Sequence, residues 1–500
     1  MSGSGTLAEP PIFLTNSDRV GQRAVRGVAI TSLSQGVKLL AQFGSVIILA
    51  RLITPADFGI FAMVSPIVGF AMLFQDFGLS QAMIAKRDLT SAQAATMFRL
   101  NLGIAGTIAI LLSVLAIPLS WFYNQPLVAP ITWLLCVQVV MAGLTVSHVA
   151  LLARALRFGQ LAIMEISATL FSFAVAVFVA WHWPGPWAPV MQAVSSAAAL
   201  MVGAWLATRW MPRRFARLDE VKDLIHFGKG LTGFNLSNYV SRNADNLLIG
   251  WAQGPAQLGF YDRAYKLLLF PIAQVNAPIQ NVLVPVLSRL RGEPERYRAA
   301  YVRTLSMMLL VTTPGVAILI VTADKLVRLL LGEGWLGAIP VFTWLSLAAV
   351  HQPVSNTFGW LLISQQRTSE FARYGIFAML TCLLSFMGGL AWGATGVAAA
   401  YAISGLVLRL PVLLWTVGRK GPVTAGVVLR TAAPYFLAAI IGAVSRLVAD
   451  PYFPADALIN VLCSAVWIYA VSFAVLLLTR TGRRAIGEVV TMVKNKLFRG

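Results

Sequence analysis

Charge is scarce in this chain, and acidic charge scarcest of all. Only 12% of its 500 residues are Asp, Glu, Lys or Arg, with 19 acids against 39 bases. Soluble proteins carry about 25% charged residues, so an ordinary water-facing surface cannot be assembled from this sequence. Meanwhile 58% of the residues are hydrophobic, more than the core of a globular domain hides. The composition is that of a multi-span membrane protein. Cysteine is nearly missing: Cys136, Cys382 and Cys463 lie far apart in apolar runs. They offer no CxxC and no Cys/His spacing suited to zinc, so they read as small packing residues.

Catalytic signatures are missing as well. There is no GxxxxGK(S/T), which excludes a P-loop ATPase; GKGLTG at 228–233 lacks the first glycine at the required distance. No HExxH, GxSxG or DxD occurs, and no outer loop is long enough for a catalytic domain. An embedded enzyme is therefore the weakest reading, and no cofactor or metal is expected. The N-terminal MSGSGTLAEPPIFLTNSDRVGQRAVRG is not a signal peptide, because its apolar patch IFL is short and the bases follow it. No repeated loop resembles the filter of a channel.

What is present is apolar length. A spanning helix needs about 20 mostly apolar residues. Such stretches occur near 28–51, 57–84, 94–120, 127–153, 160–181, 187–209, 224–252, 257–288, 301–323, 335–364, 370–392, 395–417, 424–448 and 456–479, fourteen in all. With the N-terminus in the cytoplasm, the inner loops and tails receive the bases at 19–26, 86–87, 154–157, 209–222, 289–298, 367–373, 419–420 and 480–499. The outer loops hold only Arg51, Lys325, Arg328 and Arg446. This is the positive-inside pattern loop after loop, and it places both termini in the cytoplasm. It also accounts for the net charge of +20 without nucleic acid. ADKLVRLLLGEGW (323–335) reads as an interfacial helix, and RTGRRAIGEVVTMVKNKLFRG as an amphipathic tail on anionic lipid.

The chain repeats itself. TPADFGIF (54–61) matches GPAQLGFY (254–261) at Pro55 and Pro255, Ala56 and Ala256, Gly59 and Gly259. Each motif falls at the outer turn after the first helix of a six-helix block, so the blocks are parallel copies. The expected organisation is a tail (1–27), two six-helix lobes (28–215 and 216–420), two further helices (421–480) and a basic amphipathic tail (481–500).

Within the spans, polar residues fall at helical spacing. NLSNYVSRNADNLLIG (235–250) sets Asn235, Asn238, Arg242 and Asp245 on one face. The first helix carries Lys38 and Gln42, the second Gln75 and Asp76, the fifth Glu165, the eighth Asp262, Arg263 and Lys266, the tenth His351. A charge at the bilayer centre costs at least about 2.5–3.5 kcal/mol, so each should face protein or water. The richest ridges lie on helices 1, 2, 7 and 8, the equivalent pairs of the two copies, where they can line a hydrated cleft. Local pairing is the alternative: Arg242 with Asp245, and Lys38 with Asp76. Glu165 reads as snorkelling, Asp262 and Arg263 as interfacial, and His351 as a satisfied polar residue.

ILARLITPADFGIFAMV (48–64), QDFGLSQAMI (75–84), ADNLLIGWAQGPAQLGFYDRAYKL (244–267) and GATGVAAAYAISG (393–405) resemble the polysaccharide transporter family. This family shares a superfamily with multidrug extruders and peptidoglycan lipid flippases, and the similarity is to its colanic-acid-exporter type. The resemblance implies an all-α polytopic membrane protein, with two six-helix lobes around a central cavity. It implies flipping of an undecaprenyl-pyrophosphate-linked oligosaccharide across the bacterial inner membrane, driven by a proton or sodium gradient. Polysaccharide polymerase and export machinery are its implied partners. Family members use cavity cations for the pyrophosphate; Lys38 and Arg242, then Arg263 and Lys266, match that role, with Gln42, Asn235 and Asn238 as polar neighbours. Asp76 and Asp245 are the coupling-ion candidates. A small-cation antiporter of the sister family is the competing reading; it expects acid-dominated lobes.

Overall fold

The computed structural model describes the backbone of residues 20–76, 78–86 and 88–497, and side chains over that range except at 20–33, 76, 218, 223–238, 240–242, 270–278, 281, 489, 490 and 492–497. Among the described residues every regular element is helical. The chain divides into two compact units, residues 1–259 and 260–500.

The first unit holds α1 (Val20–Leu52), α2 (Pro55–Asp76), α3 (Leu79–Ala85), α4 (Ser91–Phe122), α5 (Val128–Arg154), α6 (Phe158–His182) and α7 (Trp187–Thr208). It also holds the first part of α8 (Lys222–Arg289). Local chemistry sets the ends of these helices. Thr90 and Gln93 form a reciprocal capping box that starts α4. Leu79, Met83, Phe98, Leu151 and Trp210 form a core under the ends of α3, α4 and α5. α8 is two helical arms joined at Gly254, where φ 80 and ψ −178 leave helical space. Only glycine populates that region readily.

The second unit continues with α9 (Pro294–Val321), α10 (Ala323–Leu330), α11 (Ala338–Ala349), α12 (Gln352–Ser364) and α13 (Thr368–Gly389). Then follow α14 (Gly393–Ser404), a π turn at Gly405–Arg409, α15 (Leu410–Gly418), α16 (Ala425–Val448), α17 (Ala457–Leu477) and α18 (Arg480–Leu497). Tyr297, Tyr301, Leu309, Phe358, Leu361 and Tyr435 are buried in its largest core. α18 is the C-terminal stretch expected on lipid. Here it packs on α9, α16 and α17, with Ala485 in the core and Glu488 paired to Arg303 at 2.9 Å. α10, the expected interfacial helix, is held by Arg328, which pairs with Asp324 at 2.8 Å and Glu333 at 2.7 Å. Those hydrogen bonds raise the Arg328 pKa above its ordinary value.

Each of the fourteen apolar stretches falls on helix, but ten helices among the described residues are long and apolar enough to cross a membrane. The expected spans 224–252 and 257–288 run over residues outside those described; the other two differences lie in the helices themselves. Thr368–Gly418 runs as one helical stretch of 51 residues, although its sequence holds two of the expected spans. The expected tenth span is broken between α11 and α12.

Two turns share one geometry. Leu156, between α5 and α6, has φ 54; Gln366, between α12 and α13, has φ 59. Arg157 and Arg367 follow with φ −84, ψ 50 and φ −90, ψ 46. Their amides donate to Leu152 and Leu362 at 3.0 and 2.9 Å. Non-glycine residues seldom adopt positive φ, and these two turns adopt it in the same way.

Candidate functional site

In the first unit, α1 packs on α6 and brings Lys38 to Glu165. Their Nζ–Oε2 distance is 2.8 Å, with the side chains 19% and 36% exposed. Lys38 thus pairs across 127 residues with a carboxylate read as snorkelling. About two α-helical turns further along α1, Ser45 accepts from Gln192 at 2.8 Å, and Gln42 is exposed. The polar ridge of α1 is therefore partly committed to α6 and α7.

On the first arm of α8, Asp245 is 4% exposed and its Oδ1 accepts from the Asn246 amide at 2.8 Å. Tyr239 donates to the Pro66 carbonyl at 2.9 Å, tying the arm to α2. The side chains of Asn235, Asn238, Arg242 and Asp76 lie outside the described residues.

On the second arm, in the second unit, Asp262 takes two cations on one oxygen: Lys266 at 2.9 Å and Arg263 at 3.1 Å. Asp262 and Arg263 are 5% exposed as residues, while the Lys266 side chain is 41% exposed. Asp262 and Arg263, read as interfacial from the sequence, are both buried in protein. Neighbours on other helices decide this, and hydropathy along one helix cannot reveal it. One oxygen of Asp262 thus gathers two cations. Arginine offers a planar fork matched to phosphate oxygens, lysine a mobile point charge.

Three groups escaped the sequence reading. His148 is fully buried against Phe98, Trp205 and Trp210, with Nδ1 2.8 Å from Thr208 Oγ1. Arg446, assigned to an outer loop, is 2% exposed and donates to Ser464, Asp450 and Asn460 at 2.7, 2.8 and 3.0 Å. Arg409 is 8% exposed within the π turn. An arginine inside GLVLRLPVLL was the legible signal for it. By contrast, the groove of about 770 Å³ between α6 and α7 is lined by Ile163, Phe171, Val202 and Leu206 among others, with no charged group. It suits lipid contact rather than a phosphate.

Residues 48–340 match a family described as "Polysaccharide biosynthesis protein". The chain belongs to this family. WzxC, a lipopolysaccharide biosynthesis protein of Escherichia coli, is 25% identical over 71% of this chain and 73% of its own length. The teichuronic acid biosynthesis protein TuaB of Bacillus subtilis is 24% identical over 78% of this chain and 81% of its own. The succinoglycan biosynthesis transport protein ExoT of Rhizobium meliloti is 25% identical over 70% and 74%. Among solved structures, the lipid II flippase MurJ in an inward closed conformation superposes with TM-score 0.72 over 91% of this chain and 99% of that one, at 12% identity. An inward-facing multidrug resistance transporter of the MATE family reaches 0.60 over 81% and 99%, at 14% identity. At such identities the likeness is one of fold. This family member is a multi-pass membrane protein of polysaccharide biosynthesis, on a fold common to flippases and multidrug transporters.

Proposed function

We propose that this protein flips an undecaprenyl-pyrophosphate-linked oligosaccharide repeat unit from the cytoplasmic to the outer leaflet of the bacterial inner membrane. The product serves lipopolysaccharide O-antigen or exopolysaccharide assembly. The observation that carries the reading is the Asp262–Arg263–Lys266 cluster, two cations gathered on one carboxylate, in a polysaccharide biosynthesis protein on a flippase-type fold. A pyrophosphate cannot cross hydrocarbon unaided, and cations fixed inside protein lower that barrier. Arg263 and Lys266 then hold the pyrophosphate. Lys38 and Arg242 act in the same sense from the other copy, with Gln42, Asn235 and Asn238 as hydrogen-bonding neighbours. The lipid tail stays in the bilayer while the head passes by alternating access. Asp245 and Asp76 are the candidates for a coupling proton or sodium ion.

The test is a leaflet assay in proteoliposomes carrying fluorescent undecaprenyl-pyrophosphate oligosaccharide with an external quencher. Wild type exposes protected label faster than empty vesicles, and Arg263→Gln and Lys38→Ala lose the acceleration. Transport that survives both substitutions removes the anion role from these residues. Folded wild type that accelerates nothing, with or without an ion gradient, overturns the function.

A further inference from the structure

Arg157 precedes α6 and Arg367 precedes α13, each directly after a residue of positive φ and in nearly the same conformation. Their side chains fare differently. Every nitrogen of the Arg367 guanidinium is used. Nε and Nη2 donate to Glu370 at 3.0 and 2.8 Å, and Nη2 and Nη1 donate to the carbonyls of Thr416 and Lys420 at the end of α15, both at 2.6 Å. Arg157 has Gln160 where Arg367 has Glu370, three residues on. Among the described residues its guanidinium makes no ion pair and no hydrogen bond. An arginine held in the same kind of turn without the carboxylate is open to an anion from outside the chain.

The surroundings of Arg157 narrow the choice of anion. Gln160 stands at one end of the groove between α6 and α7, which passes Ile163 and reaches Phe171 on α6, with Val202 and Leu206 on α7 as its other wall. Small side chains where the helices face each other, Ala168 and Ala199 among them, leave the space. Ile163, Phe171, Val202 and Leu206 are each more than half exposed, so the groove is open at its side to the surrounding bilayer. Gln160 to Phe171 covers about 16 Å of helix, and one leaflet of the hydrocarbon core is about 15 Å deep. The groove therefore has the depth of a single leaflet, and it starts at the basic end of α6. Arg209, which caps the end of α7 and is exposed, adds a second cation at that end.

An apolar slot one leaflet deep, with an unpaired guanidinium at its mouth, fits a molecule that has an acyl chain and a phosphate. We infer that the groove between α6 and α7, together with Arg157, is a binding site for one anionic phospholipid. One acyl chain lies along the groove and the phosphate meets Arg157, whose planar fork matches phosphate oxygens. The depth of the groove favours a phospholipid over a long polyprenyl chain. The lipid gives Arg157 the counter-charge that Glu370 gives Arg367, and it spans α6 and α7 much as Arg367 spans α13 and α15. α6 also carries Glu165, the partner of Lys38, so the lipid steadies the helix that holds this pair.

The test needs no transport, so it stands or falls apart from the flippase reading. Purified full-length protein is titrated with phosphatidylglycerol, or with phosphatidylcholine of the same chains, and bound lipid is counted by native mass spectrometry. Wild type should bind phosphatidylglycerol more tightly than phosphatidylcholine. Arg157→Gln removes the charge, and Gln160→Glu supplies the carboxylate that Arg367 already has. Each should weaken phosphatidylglycerol binding about fivefold, the effect of one basic residue at an anionic headgroup, and leave phosphatidylcholine binding unchanged. Gln160 is exposed, so Gln160→Glu serves even if Arg157→Gln does not fold. Ala199→Trp fills the groove and should weaken both lipids. Equal binding of the two lipids by wild type overturns the inference. A preference that survives Arg157→Gln and Gln160→Glu overturns it by placing the anion at another base. Unchanged binding in Ala199→Trp overturns it by leaving surface charge alone as the attraction. Tighter binding of undecaprenyl phosphate than of phosphatidylglycerol assigns the groove to a polyprenyl tail and overturns it too.

Discussion

Gly59 packs its Cα onto the backbone carbonyl of Pro255, and Gly259 packs onto that of Pro55. The two copies of the repeated motif thus hold each other reciprocally, the glycine of each seated on the proline of the other. This is the self-complementary logic of a two-fold interface inside one chain. Around it, Tyr123 lies against Gly250 and donates to the Met63 carbonyl at 3.3 Å, and Phe122 stacks on Trp251 at 6.0 Å.

Gly59→Ala and Gly259→Ala should each destabilise the protein, because the colliding atoms are backbone and cannot rotate away. Overpacking of this kind costs about 1–3 kcal/mol or more. Pro255→Ala keeps the carbonyl and should cost much less. Melting temperatures of the three variants in detergent check this, and equal losses would refute the packing argument.

Gly254→Ala should also destabilise, for a different reason. No atom lies within 4 Å of its added Cβ, so the expected loss of about 1–3 kcal/mol is backbone strain at φ 80. Asn, which tolerates positive φ somewhat better, should be no worse than Ala; a melting series over Ala, Asn and Val reads the order.

Asp262→Asn should be among the most damaging single changes. It leaves Arg263 buried beside Lys266 without the shared carboxylate, and breaking a buried ion pair costs about 3–5 kcal/mol. Asp262→Asn combined with Lys266→Met should recover part of the loss, which a double-mutant cycle on thermal unfolding measures.

Lys38 and Glu165 separate pairing from transport. Their partly exposed pair contributes at most about 1 kcal/mol, so both single variants should fold. In the leaflet assay Lys38→Ala is expected to slow flipping about tenfold or more, the effect of losing about 1.4 kcal/mol of transition-state contact. Glu165→Gln should leave the rate nearly unchanged. Equal losses for both would mean that the pair matters only as a structural contact.

Arg446→Lys should behave like Arg446→Ala. The guanidinium makes three directed bonds and sits with Cζ 3.5 Å from the Phe453 ring centre, joining α16 to α17. A lysine ammonium cannot reproduce that fork. Protease sensitivity of the 449–456 connection is the readout; rescue by Lys would show that charge alone suffices there.

The sequence by itself determined the helices and the membrane class, and it carries one short motif twice. These rest on properties written along one dimension: apolar length, helical period, the loop-by-loop placement of bases, and a motif returning as TPADFG and GPAQLG. It also marked which side chains are costly in a bilayer, since charge inside an apolar run is visible without coordinates. Only the tertiary structure decided their partners. Lys38 meets Glu165 rather than Asp76 because α1 packs on α6. Asp262 is buried with Arg263 and shares one oxygen between Arg263 and Lys266. His351, which reads as a satisfied residue, has neither nitrogen bonded and faces an arginine 58 positions on. A buried charge is governed by the atoms within a few ångströms of it, and those come from helices whose contact no local pattern encodes.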